Sequence, residues 1–186
     1  MSKVNQNIFL IGPMGSGKTT IGKQLAKMLA LKFYDCDHEL ERLTGASVNL
    51  IFDVEGEAGF RLRENRLLRQ LTAKNGVLIS TGGGAVCNEH NRRMLRSRGF
   101  VVYLKTSIEN QIMRLGQDKS RPLLQAPDRV QRLTDLAQVR NPLYDATADL
   151  VFSTRNSSVY ASAKALSIAI LEHTDPLKPE KPHANS

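Results

Sequence analysis

Gly12-Pro13-Met14-Gly15-Ser16-Gly17-Lys18-Thr19 decides how this 186-residue chain folds. The stretch fits the Walker A pattern G-x-x-x-x-G-K-[ST] without a mismatch. The run before it, Asn7-Ile8-Phe9-Leu10-Ile11, is apolar and β-prone and reads as a buried strand. After Thr19 the spacing of Ile21, Leu25, Met28 and Leu29 becomes helical. Strand, glycine turn and helix are the setting this motif needs. Gly12, Gly15 and Gly17 read as bare positions that let phosphate oxygens approach the backbone. Successive N–H groups then form an anion nest, reinforced by the helix dipole. Lys18 supplies a cation for the β- and γ-phosphates, and the Thr19 hydroxyl suits Mg²⁺.

With 41% hydrophobic and 24% charged residues the composition is ordinary for a soluble globular protein, and the length suits one domain; the α/β class follows from the alternation of strands and helices along the chain. There is no apolar run long enough to cross a bilayer and no signal-peptide pattern, so a cytoplasmic protein is expected. Cys36 and Cys87 have no metal-ligand spacing and are expected to be reduced thiols. The net charge of +8 suits either a nucleic acid or a small anionic substrate. With 5% aromatic residues and no Trp, a base-stacking platform is poorly supported.

Phe33-Tyr34-Asp35-Cys36-Asp37 reads as a second strand ending in two acids. In open α/β sheets ligands sit at the carboxyl ends of strands. Strand alternation puts Asp35 and Asp37 on one face, with Cys36 opposite. Such a pair beside a phosphate loop suits one acid to the metal and the other to an acceptor hydroxyl. The competing reading makes Asp37 only the cap of the next helix. Residues 39–74 read as mostly helical, with breaks near Gly45 and at Gly56 and Gly59. Within them Arg61 and Glu64 stand at i, i+3 spacing, so the acid can hold the guanidinium fork in place for a carboxylate. Arg63, Arg66 and Arg69 read as surface charge. A third strand, Val77-Leu78-Ile79-Ser80, runs into Thr81-Gly82-Gly83-Gly84, where backbone is expected to lie against ligand unless the glycines only make a tight connection. That strand lacks a Walker B Asp, which leaves Asp35 as the leading carboxylate for the metal shell.

Further on, residues 91–98 form a basic helix, 100–104 a fourth strand, and Ser107 opens a helix that carries Arg114 near its end. The polar stretch around Ser120-Arg121-Pro122 reads as a mobile lid over 114–128, with Arg121 as the cation it brings to the phosphates. A helix over 130–144 ends in Arg140-Asn141-Pro142-Leu143-Tyr144. A short strand follows at 150–152, then a closing helix at 159–172 and a disordered tail at 174–186.

Taken in order, G-P-M-G-S-G-K-T-T, F-Y-D-C-D, G-E-x-x-F-R-x-R-E, S-T-G-G-G, R-P-L-L and R-N-P-L-Y make the chain resemble the shikimate kinases from Asn5 to about Leu171. The resemblance implies a three-layer P-loop kinase fold: a five-stranded parallel sheet in order 2-3-1-4-5 flanked by helices, with a substrate-binding helical segment at about 38–66. It implies transfer of the ATP γ-phosphoryl to the 3-hydroxyl of shikimate, on the route to chorismate and the aromatic amino acids, by a monomer that uses Mg²⁺. It carries over Gly15, Ser16, Gly17, Lys18, Thr19 and Thr20 to the ATP phosphates, Thr19 and Asp35 to the metal, and Asp37 to the acceptor hydroxyls. Arg61 and Arg140 would clamp the shikimate carboxylate beside Gly82, Gly83 and Gly84, with Gly83 donating an N–H. Arg121 would close on the phosphates and Arg114 stack on adenine, with Arg155 and Ser157 as further adenine-side contacts. The rivals are another small-molecule kinase of the same fold, such as a gluconate or nucleoside monophosphate kinase, a nucleotide-switched nucleic-acid binder and a non-catalytic scaffold. The Asp-x-Asp, triple-glycine and R-N-P-L-Y set argues against a gluconate kinase.

Overall fold

The computed structural model describes residues 6–116, 128–154 and 157–174. Five strands, β1 (Asn7–Ile11), β2 (Lys32–Asp35), β3 (Val77–Ser80), β4 (Gly99–Lys105) and β5 (Leu150–Ser153), make one sheet in the order β2-β3-β1-β4-β5. All four pairings are parallel, as the resemblance implied. Apolar β1 is buried along its whole length because it lies in the middle of the sheet with helices on both faces.

Alternation along the strands divides the core in two. Ile8, Leu10, Leu78, Val102 and Leu104 point to one face, where α1 (Lys18–Met28) and α7 (Val159–Thr174) cover them. Phe9, Ile11, Val77, Ile79, Val101 and Tyr103 point to the other face. There they meet α2 (Cys36–Thr44), α3 (Val48–Thr72), α4 (Glu89–Arg98) and α6 (Arg129–Thr147), while α5 (Ile108–Leu115) follows β4. Each connection leaves the carboxyl end of a strand, so the glycine turn, Asp35, the triple glycine and Thr154 gather on one edge of the sheet.

Three local expectations differ from the structure. The helical region breaks at Gly56, whose φ of 69° and ψ of −178° interrupt α3, and not at Gly59, which stays helical. α6 does not stop at Tyr144; it passes through Pro142 and runs on to Thr147, so Arg140 and Tyr144 sit on a continuous helical face. The second strand stops at Asp35, and Cys36 and Asp37 already belong to α2. The lid expected over 114–128 falls mainly on residues 117–127, outside the described residues together with Arg121. Arg155 and residues 175–186 also lie outside them, and Thr174, expected in the tail, closes α7.

Candidate active site

The glycine turn between β1 and α1 holds Gly12, Gly15 and Gly17 at φ of 143°, 72° and 93°. These glycines do more than leave room for a ligand. A Cβ on Gly12 would stand 2.6 Å from the Leu104 carbonyl oxygen, and one on Gly15 3.1 Å from the Leu115 side chain. The loop is therefore wedged between the ends of β4 and α5, and its shape is set before any phosphate arrives. No side chain caps the start of α1, and its first turn holds no acid, which leaves that helix end suited to an anion. Lys18 Nζ donates to the carbonyls of Gly12 and Pro13, at 2.8 Å each. Ser16 is fully buried, and Thr20 donates to the Gly17 carbonyl at 3.2 Å.

Asp35 joins this cradle to the next helix. The Thr19 hydroxyl donates to its Oδ2 at 2.6 Å. Its Oδ1 accepts from the backbone N–H groups of Asp37 and His38, at 3.1 and 3.2 Å. Asp35, and not Asp37, is thus the N-cap of α2. Asp37 lies in the first helical turn, so strand alternation does not relate the two acids; the cap does. Hydroxyl and carboxylate oxygens are the donors a hard divalent cation takes, and Mg²⁺ leans mostly on phosphates and water. The Thr19–Asp35 pair at the rim of an anion cradle fits such an ion. Among the described residues no group of three or more His, Cys, Asp or Glu side chains is arranged to hold a metal. Cys36, between the two acids, is buried, and burial pushes its thiol well above its ordinary pKa.

The triple glycine is where the other predicted residues meet. A Cβ at Gly82 would lie 2.5 Å from Glu64 Oε1 and 3.4 Å from Asp37 Oδ1. At Gly83 it would lie 3.7 Å from Arg140 Nη1 and equally far from Gly12 O and Met14 N of the glycine turn. At Gly84 it would run into the Arg61 guanidinium, 2.2 Å from Nη2. Acids, phosphate loop and both guanidinium groups thus converge on three residues that lack side chains.

The predicted Arg61–Glu64 pair forms at 2.8 Å, with Glu57 3.3 Å away on the other side of Arg61. Glu64 is 3% exposed, and its second oxygen, Oε1, has no hydrogen-bond partner among the described residues. Burial pushes the Glu64 carboxyl above its ordinary pKa against the pull of Arg61. Burial also works to lower Arg61, but the charges and hydrogen bonds of Glu64 and Glu57 outweigh it, and its pKa ends raised. The two directions oppose each other within one ion pair. The 2.8 Å contact and the permanence of a guanidinium charge decide it as an ionised pair at neutral pH.

Arg114 Nη1 donates to Gly15 O at 3.0 Å and to Thr154 Oγ1 at 3.4 Å, which ties the phosphate loop to the end of β5. Ser157 and Ser162 share a 2.8 Å hydrogen bond at the start of α7. Two features escaped the sequence reading. Tyr144 donates its hydroxyl to the Gly83 carbonyl, a contact that a tyrosine assigned to a helix-ending turn does not suggest. Pro13 and Met14 face Leu133, Leu136, Ala137 and Arg140 across a small cavity. The helical spacing of those α6 residues was visible, but their opposite wall was not.

The family model for shikimate kinase matches residues 14–171. The chain belongs to the shikimate kinase family. A shikimate kinase of Histophilus somni is 51% identical over 174 residues, covering 93% of this chain and 97% of that protein. One from Pasteurella multocida is 50% identical over 173 residues, 92% and 97% of the two chains. Among solved structures, shikimate kinase from Acinetobacter baumannii in complex with shikimate superposes with a TM-score of 0.89 at 44% identity, over 95% of this chain and 97% of that one. A gluconokinase from Sinorhizobium meliloti, at 17% identity and a TM-score of 0.62, shares the fold alone. The shikimate kinase family thus supplies the activity class, a phosphotransferase acting on an alcohol, and ATP as the phosphoryl donor.

Proposed function

We propose that this chain transfers the γ-phosphoryl group of ATP to the 3-hydroxyl of shikimate, giving shikimate 3-phosphate and ADP in aromatic amino acid biosynthesis. The observation that carries the reading is the convergence on the triple glycine. An acid stands at one end, a guanidinium at the other, and the phosphate loop and a second guanidinium meet the middle. That spacing of charges matches a small ring acid with hydroxyls opposite its carboxylate.

In this reading Arg61 and Arg140 hold the shikimate carboxylate, with Gly82, Gly83 and Gly84 supplying backbone and Gly83 an N–H. Asp37 orients the 3-hydroxyl and takes its proton as the oxygen bonds to the γ-phosphorus; the bond from that phosphorus to the β,γ-bridging oxygen breaks. Gly15 to Thr20 cradle the phosphates, with Lys18 neutralising the β- and γ-oxygens. Thr19 and Asp35 would hold Mg²⁺, which supplies charge neutralisation to the phosphates when bound. Arg114 and Ser157 take the adenine side. Arg121 and Arg155, outside the described residues, are assigned from the sequence alone, Arg121 to the phosphates by the R-P-L-L motif and Arg155 to the adenine by its place next to the last strand. The same reading makes the protein a cytoplasmic monomer with no nucleic-acid or membrane partner. Among the described residues no helix is long and apolar enough to cross a membrane.

The test is coupled ADP release with shikimate, gluconate and CMP offered in turn to the full chain. Turnover with shikimate at least about 100-fold faster in kcat/KM than with either alternative is expected. Equal rates, or a preference for gluconate or CMP, would refute the substrate assignment.

A further inference from the structure

Each carbonyl of the triple glycine already has a donor. Gly82 O accepts from Ala85 N at 3.1 Å, and Gly84 O from Cys87 N at 3.0 Å. Gly83 O accepts from the Tyr144 hydroxyl. The first two are turns within the same short segment. The third is the long-range one: it reaches from α6, the helix that carries Arg140. None of the N–H groups of Gly82, Gly83 and Gly84 has a protein acceptor among the described residues. A trans peptide points its C=O and N–H in opposite directions. Drawing the Gly83 carbonyl toward Tyr144 therefore turns the Gly84 N–H away from α6. A Gly-Gly peptide has little steric preference of its own, so it needs an anchor of this kind.

The anchor is itself held. Tyr144 is 1% exposed, and its ring packs on Tyr103 with centroids 5.0 Å apart. The Tyr103 hydroxyl in turn donates to Asn141 Oδ1 at 3.3 Å, beside Arg140. Burial raises the Tyr144 hydroxyl well above the ordinary phenol pKa, so it stays a donor at neutral pH.

We infer that Tyr144 is a positioning residue for the acceptor carboxylate: its hydroxyl sets the direction of the Gly83–Gly84 peptide and holds that peptide at a fixed distance from Arg140. This rests on the substrate reading above, adds the Gly84 N–H to that of Gly83 as a second donor to the carboxylate, and adds a residue, Tyr144, that never touches the substrate. The carboxylate lies far from the reacting hydroxyl, so its hydrogen bonds act equally in the ground and transition states. Their loss is read in KM and not in kcat.

The test compares wild type with Tyr144→Phe, which keeps the ring against Tyr103, using shikimate and its carboxamide analogue. Tyr144→Phe is expected to raise the KM for shikimate about tenfold, with kcat and the KM for ATP within about twofold. For the carboxamide, whose carbonyl oxygen accepts only an uncharged hydrogen bond, KM is expected to rise less, by about threefold. An equal rise for both substrates, or a fall in kcat with KM unchanged, would overturn the assignment. Backbone amide NMR of the wild type gives a second measurement that does not depend on the variant folding. The Gly84 N–H resonance is expected to shift when shikimate is added; no shift with shikimate overturns the inference. Absence of shikimate turnover by the wild type would instead strike the substrate reading itself.

Discussion

At the scale of single residues, Asp35 divides two tasks between its two oxygens. One oxygen receives the Thr19 hydroxyl, and the other caps the helix that places Asp37. The tasks are separable by substitution. In Asp35→Asn the carboxamide oxygen still accepts from the N–H groups of residues 37 and 38, but the charge is gone. That variant is expected to keep its urea midpoint and lose about 10- to 100-fold in kcat/KM. Asp35→Ala is expected to lose a similar activity and also about 1 kcal/mol of stability, because the cap is gone. Equal stability of the two variants would show that the cap contributes nothing. The pair of acids was legible in the sequence, but their relation was not. Read as a strand they share a face; in the molecule the first caps the helix on which the second rides. Local pattern cannot say where a strand yields to a helix when the capping residue is itself the last strand residue.

At the scale of elements, α3 depends on a break at one glycine. Gly56 adopts a φ, ψ combination that is close to exclusive to glycine. A Cβ there would meet nothing within 4 Å, so the cost of a side chain is conformational alone. Gly56→Ala is therefore expected to lower the unfolding free energy by about 1–3 kcal/mol, measured by urea denaturation. Gly12→Ala combines a positive φ with a clash against the Leu104 carbonyl and is expected to lose more. If Gly56→Ala proved as stable as wild type, the break would not be conformationally demanding. The ion pair of Arg63 with Glu55 at 2.6 Å spans this break, so an arginine read only as surface charge has a local role. α6 shows the opposite error. Pro142 lacks the N–H that a helix interior uses, yet the helix, expected to end at Tyr144, continues through it to Thr147. Packing of Leu133 and Tyr144 into the core, together with the hydroxyl bond to Gly83, holds α6 across that gap.

At the scale of the whole molecule, the five strand ends bring phosphate loop, acids and arginines to one edge of the sheet, and the chain carries a net charge of +8. Both substrates of the proposed reaction are anions. Raising ionic strength toward about 0.3 M is expected to lower kcat/KM several-fold while leaving kcat at saturation nearly unchanged. A kcat/KM indifferent to salt would mean that the excess charge lies away from the site. By itself the sequence determined the strand count, the phosphate cradle and the Arg61–Glu64 pair, while the layers and strand order came from the family resemblance it carries. The first three rest on periodicity, turn chemistry and contacts within a few residues, which a linear reading contains. Only the tertiary structure decided that Tyr144 reaches Gly83, that Gly12 needs its missing side chain because of Leu104, and that Glu64 keeps one oxygen buried beside Gly82. Each of these is a contact between segments far apart in the chain, and its geometry exists only once the sheet has set the distance between them.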